Sequence, residues 1–242
     1  MNKNLQREGS RHESVFISPK ALFLTRAASL IWTVLILIVA LSRFEYPIWN
    51  FFRYITNWSW IGLMFFFLIA TINSYRRVFL NKNIDFFPLV FDVLFASIIA
   101  LPWFVSLGYW GLLSAHFGTQ TEASKFILAN THAVNFLLMM LEIILSRCKP
   151  TVSRFVCPVL FIWMYTSYTV FLKLQFGFDW PYPQMQVLLQ TSLLVSVMAY
   201  LIVAAATALF YFVSFGICRY RDRFIVNDSV CSCGNDCING CA

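Results

Sequence analysis

Charge is scarce in this sequence. Only 12% of its 242 residues are Asp, Glu, Lys or Arg, while 60% are hydrophobic; a soluble domain carries about 25% charged residues. A soluble fold of this length could not hide so many apolar side chains, because a domain of this size still exposes roughly a quarter to a third of its unfolded surface. Lipid is therefore the expected solvent. No phosphate loop, dinucleotide fingerprint or His-Glu-x-x-His element occurs, so a cofactor-dependent enzyme is not supported. Matching pairs of Gly/Pro-broken half-helices are also missing, which leaves a transporter third among the functional readings. Seven cysteines is an odd number, and no pair falls in a segment expected outside the cytosol, so a disulfide framework is not expected. The first twenty residues are polar, and the first apolar run is too long for a signal peptide and lacks a small-residue cleavage site. The first span itself should act as the insertion signal.

What is abundant fits a membrane. Aromatic residues make up 18% of the chain, with 26 Phe and 8 Trp, as suits helices that face acyl chains and anchor at the headgroups. A net charge of +7 does not mark a nucleic-acid protein, because the basic residues stand at the ends of apolar runs and form no stripe.

A membrane-crossing helix needs about 20 mostly apolar residues, since the hydrocarbon core is about 30 Å thick and each residue rises about 1.5 Å. Six segments meet this condition: Thr25–Phe44, Asn57–Tyr75, Phe86–Trp110, Phe126–Leu145, Phe155–Phe176 and Val187–Ile217. The predicted fold is an all-α, polytopic membrane bundle of six transmembrane helices over 25–217. A cytosolic tail over 1–24 precedes it, and a cytosolic Cys-rich tail over 218–242 follows. With the N-terminus in the cytosol, fourteen of the 18 Lys and Arg fall on the inner side, and only Arg43, Arg53, Lys125 and Lys173 fall outside. That asymmetry obeys the positive-inside rule for six spans with both termini cytosolic. Pro102 in the third span is tolerated if a neighbouring helix satisfies the carbonyls it frees.

Ionisable groups at membrane depth cost several kcal/mol unless paired or hydrated, so Asp92, His132 and Glu142 stand out. For the two acids, a position near the cytosolic headgroups or a satisfied polar contact is the favoured reading. His132 and Asn135 share one face of the fourth span, and Thr56 opens the second span from the same leaflet. A hydroxyl beside an imidazole, away from bulk water, is the minimum for nucleophilic acyl transfer. Neutral His would take the proton, and Asn or indole N–H donors would steady an oxyanion. The same residue types also serve as a helix cap and an interhelical hydrogen-bond clamp, so residue types alone leave both roles open.

Four blocks carry a further signal: Phe52-Arg53-Tyr54-Ile55-Thr56-Asn57-Trp58, Asp92…Leu101-Pro102…Tyr109-Trp110, His132-Ala133-Val134-Asn135 and Trp180-Pro181-Tyr182-Pro183. In order and spacing they resemble the rolling stone and androgen-induced-protein-like superfamily, over roughly Ile31 to Arg223. One branch of that superfamily consists of multi-pass hydrolases that cleave fatty acid esters of hydroxy fatty acids with an intramembrane threonine and histidine. The resemblance implies Thr56 as nucleophile and His132 as general base, with Asn57, Trp58 and Asn135 as supporting polar groups and a lipid ester as substrate. Several of the same residues look closer to the rolling stone branch, which implies the alternative of a non-enzymatic membrane scaffold or cell-fusion protein. Membrane lipids are the expected partners, in the endomembrane system or plasma membrane, with no nucleic acid and no cofactor.

Past the last span come Cys218, Cys231, Cys233, Cys237 and Cys241. The final four lack the paired Cys-x-x-Cys knuckles of a zinc site, so no metal is expected. Thiols beside a cytosolic membrane face are candidates for S-acylation.

Overall fold

The structure, a computed structural model, describes residues 14, 16–42, 48–82, 84–114, 118, 120–178 and 193–234. Among the described residues the protein is an all-α, multi-pass bundle with six helices long and apolar enough to cross a membrane: span one Pro19–Ser42, span two Ile55–Leu80, span three Pro88–Gly111, span four Glu122–Leu145, span five Val152–Phe176 and span six Met198–Arg223. Each lies where a predicted apolar run lies, with ends shifted by a few residues. The largest shift is at span six, whose helix runs on to Gly234. Span four begins four residues earlier than its apolar run, because the Thr121 side chain accepts the Ser124 N–H as an N-cap, and the cap settles the start.

Spans two and three form the centre. In them 56% and 61% of the apolar stretch is buried, against 22% in span six. Leu63, Phe66, Phe67 and Ala70 of span two pack on Phe91, Phe95, Ile98 and Ile99 of span three, and Met139 and Ile143 of span four close the same core. The outward sides of the peripheral spans carry large exposed apolar residues such as Leu24, Ile31, Leu160, Trp163, Ile202 and Leu209. In water such a surface would be unfavourable; in acyl chains it is matched.

Span three is interrupted at Ile99–Ala100, just before Pro102. Proline has no N–H and its ring crowds the preceding turn, so a carbonyl loses its helical partner. Next to the Ile98 carbonyl, which Pro102 cannot serve, the Ile99 carbonyl accepts from Ser214 Oγ of span six at 2.7 Å, and Ser214 Oγ in turn accepts from Trp103 Nε1 at 3.1 Å. The neighbouring helix thus supplies a donor to the opened turn.

The two acids singled out in the sequence are both paired. Asp92 meets Arg154 at 2.8 Å, at the half-buried start of spans three and five. Glu142, 3% exposed, takes Arg26 of span one, which is fully buried. Arg26 Nε lies 3.2 Å from both carboxylate oxygens, Nη2 bonds Oε1, Nη1 donates to Ser74 Oγ at 2.7 Å and Nη2 reaches Cys148 Sγ at 3.9 Å. Arg221 of span six then caps the end of span four by donating to the carbonyls of Ile143, Ser146 and Cys148. The Ile143 and Ser146 carbonyls are among the acceptors that a helix end leaves without helical partners. Lys149 and Arg221 share Asp222, each at 2.8 Å. Two of the arginines credited to the positive inner side are therefore enclosed in the bundle, and they hold spans one, two, four and six together.

Candidate functional site

In the other half of the bundle the buried polar groups are uncharged residue types and His132. Span four there departs from α-helix: Asn130–Val134 is a π-helical turn, closed by the Asn135 N–H bonding the Asn130 carbonyl. A second π turn, Tyr109–Leu113, ends span three. Single π turns widen the helix locally and occur often at functional sites. The two meet, because the His132 ring stacks on the Tyr109 ring with centroids 3.9 Å apart and planes 16° apart.

His132 is 5% exposed. Its Nδ1 lies 3.3 Å from the Val105 carbonyl of span three, and since a carbonyl oxygen only accepts, the proton belongs on Nδ1. The neutral ring then carries its lone pair on Nε2. The backbone carbonyl of His132 accepts from Ser106 Oγ. Span three thus fixes both the ring and the peptide of His132.

Span two approaches span four one turn further along. Asn135, fully buried, donates from Nδ2 to Ser59 Oγ at 3.1 Å and to the Thr131 carbonyl at 3.2 Å. A second tie joins the same spans through Arg26, which contacts Ser74 and Glu142 together. Residue numbers rise in the same direction along both spans between the two ties, so spans two and four run parallel. Thr56 and His132 each precede the Ser59–Asn135 contact by three residues, close to one helical turn. They therefore stand at the same level, and both are buried, Thr56 at 7% exposure. Span one joins through Trp32 Nε1, which donates to Asn130 Oδ1 at 3.0 Å, and through the Thr33 carbonyl, which accepts from Trp60 Nε1 at 3.0 Å.

The other supporting residues named from the sequence have a different setting. Asn57 Nδ2 donates to the Phe51 carbonyl at 2.6 Å, and Trp58 Nε1 to the Phe52 carbonyl at 2.7 Å. Both donors thereby fasten the short helix Ile48–Phe51 and the turn after it to the start of span two. The Trp58 ring packs on Phe161, Tyr165 and Tyr168 of span five at 5.5–6.1 Å. These two residues anchor the mouth of span two, which engages the Trp58 N–H and one of the two Asn57 amide hydrogens.

Sequence reasoning missed Ser59, Ser106, Asn130 and Thr131, single polar residues inside apolar runs. Their signal was the spacing of small hydroxyl and amide groups on faces that turn toward one another, such as Thr56 with Ser59. Cys218 is 2% exposed and packed in the core with Cys148, so its thiol faces the bundle and not the surface. The side chains of Cys231 and Cys233, and all of Cys237, Cys241 and Trp180–Pro183, lie outside the described residues. Among the described residues no group of three or more His, Cys, Asp or Glu is arranged to hold a metal.

Comparison of the chain with protein-family models, curated proteins and solved structures returns no match.

Proposed function

We propose that this multi-pass membrane protein is an intramembrane lipid-ester hydrolase in which Thr56 is the nucleophile and His132 the general base. The observation that carries the reading is the parallel register of spans two and four, which puts a buried hydroxyl and a buried imidazole one turn beyond the same interhelical hydrogen bond. A His with its proton held on Nδ1 offers Nε2 as the proton acceptor. In the first half-reaction Thr56 Oγ1 attacks the acyl carbonyl, its proton passes to Nε2, and the alcohol leaves with that proton. Water then attacks the acyl-threonine by the same route and releases the fatty acid. Splitting the reaction this way replaces one difficult step with two easier ones. The resemblance to the androgen-induced branch of the rolling stone superfamily supports the same pair and suggests branched fatty acid esters as substrates, entering from the leaflet that the Thr56 end of the bundle reaches.

The lysine and arginine asymmetry supports an orientation with both termini in the cytosol, in a plasma or endomembrane bilayer. The Thr56 level then belongs to the outer leaflet.

A second reading, a non-enzymatic scaffold or fusion protein, is favoured by one observation. The contacts of His132 with Tyr109, Val105 and Ser106 clamp spans three and four together and would do so without any chemistry. Hydrolysis of branched lipid esters by the purified protein separates the two. Turnover that is lost in both Thr56→Ala and His132→Ala, with the bundle still folded, supports the hydrolase; turnover that survives either change removes it.

A further inference from the structure

Asn135 carries an unusual imbalance. Its side chain is fully buried, both amide hydrogens are committed to Ser59 Oγ and the Thr131 carbonyl, yet its Oδ1 has no hydrogen-bond partner among the described residues. Exchanging the amide oxygen and nitrogen would not relieve this, because the Thr131 carbonyl can only accept and must face the NH2 end. The open end is therefore an acceptor. A buried acceptor left without a donor is costly, and such groups are rare in native proteins. It also lies beside the π turn that presents His132, whose Nε2 in the neutral ring is likewise an acceptor.

We propose that Asn135 Oδ1 is the binding point for an O–H donor, either the free hydroxyl of a lipid or one bound water, one turn along span four from His132. An ester group alone offers no donor, so this acceptor does not serve the acyl carbonyl. It fits a lipid that is only partly esterified, or the water that completes hydrolysis. The assignment builds on the hydrolase reading for its meaning but not for its test, since O–H binding is measured without turnover.

Binding is measured in nanodiscs with the Thr56→Ala chain, using 1-monooleoylglycerol and its di-O-methyl ether as probes, together with a structure at a resolution that shows ordered water. If a lipid hydroxyl is the donor, the free diol binds about fivefold more tightly than the ether, the worth of one neutral hydrogen bond. Asn135→Leu then loses the preference, whereas Ser59→Ala, which keeps Oδ1, retains it. If water is the donor, the two probes bind alike and density for one water stands within hydrogen-bond distance of Oδ1. Equal binding together with no water at Oδ1 overturns the proposal. Because Ser59→Ala and the wild-type Asn135 chain carry the comparison, it stands even if Asn135→Leu fails to fold. Failure here leaves the turnover test of Thr56 and His132 untouched, and loss of turnover does not alter the binding result.

Discussion

The two ends of span four use polar residues in opposite ways. Near Leu145 the groups are charged and joined to one another: Glu142 has Arg26, Arg26 also has Ser74, and the carbonyls at the helix end have Arg221. Near Asn130 the groups are neutral, the helix is opened into a π turn, and at least one buried acceptor is left over. The buried Arg26–Glu142 pair fixes the arrangement of helices, because removing either partner strands a buried charge. On the proposed hydrolase reading, the charged end holds the bundle together and the neutral end carries the chemistry.

Breaking the charged end should give the largest effect. Glu142→Ala leaves Arg26 buried without its carboxylate and should destabilise the bundle by about 3–5 kcal/mol, read as a fall in the thermal midpoint in detergent. The double change Arg26→Leu with Glu142→Leu should recover most of that loss. At the neutral end, Thr56→Ala and His132→Ala should each lower ester hydrolysis by roughly a hundredfold or more, as expected for loss of a nucleophile or a general base. Their stability should change by only about 1 kcal/mol, the scale of an aromatic stack or one interhelical hydrogen bond.

Smaller effects sharpen the same contrast. Arg221→Gln removes charge-assisted bonds to carbonyls at the end of span four and should cost about 2 kcal/mol of stability, with turnover per folded molecule unchanged. Ser59→Ala should cost only about 0.6 kcal/mol, the average for a hydrogen bond between membrane helices. Cys148 gives a check on how closed the charged end is. Burial, the dominant cause, pushes its thiol up to about 11, with Arg26 opposing. About a thousandth of it is thiolate at pH 8, so maleimide labelling of the folded protein should be slow and should accelerate in Glu142→Ala.

The six spans were legible in the sequence because membrane insertion is written in local composition: long apolar runs ended by charge or proline. Which residues meet was not. Arg26 and Glu142 lie 116 positions apart, and Arg26 read from the sequence as a topological charge, since nothing local separates an arginine at a membrane face from one turned into the bundle. Thr56 and His132 could be singled out because depth follows from span order, and Asn135 because it shares a helix face with His132; the structure buries all three. The roles of Asn57 and Trp58 were not legible, because a side-chain N–H aimed at a backbone carbonyl six residues earlier depends on the turn the chain makes after Phe51. The π turns leave no compositional mark, since Asn-Thr-His-Ala-Val would serve equally well in an α-helix.

The proposed hydrolysis requires Thr56 to be an activated nucleophile at the level of His132. Labelling with a lipase-directed alkyl phosphonate, followed by peptide mapping, tests this most directly. The adduct should sit on Thr56 in the wild-type protein and vanish in a folded His132→Ala variant; an adduct on another residue, or one on Thr56 that persists without His132, would contradict it.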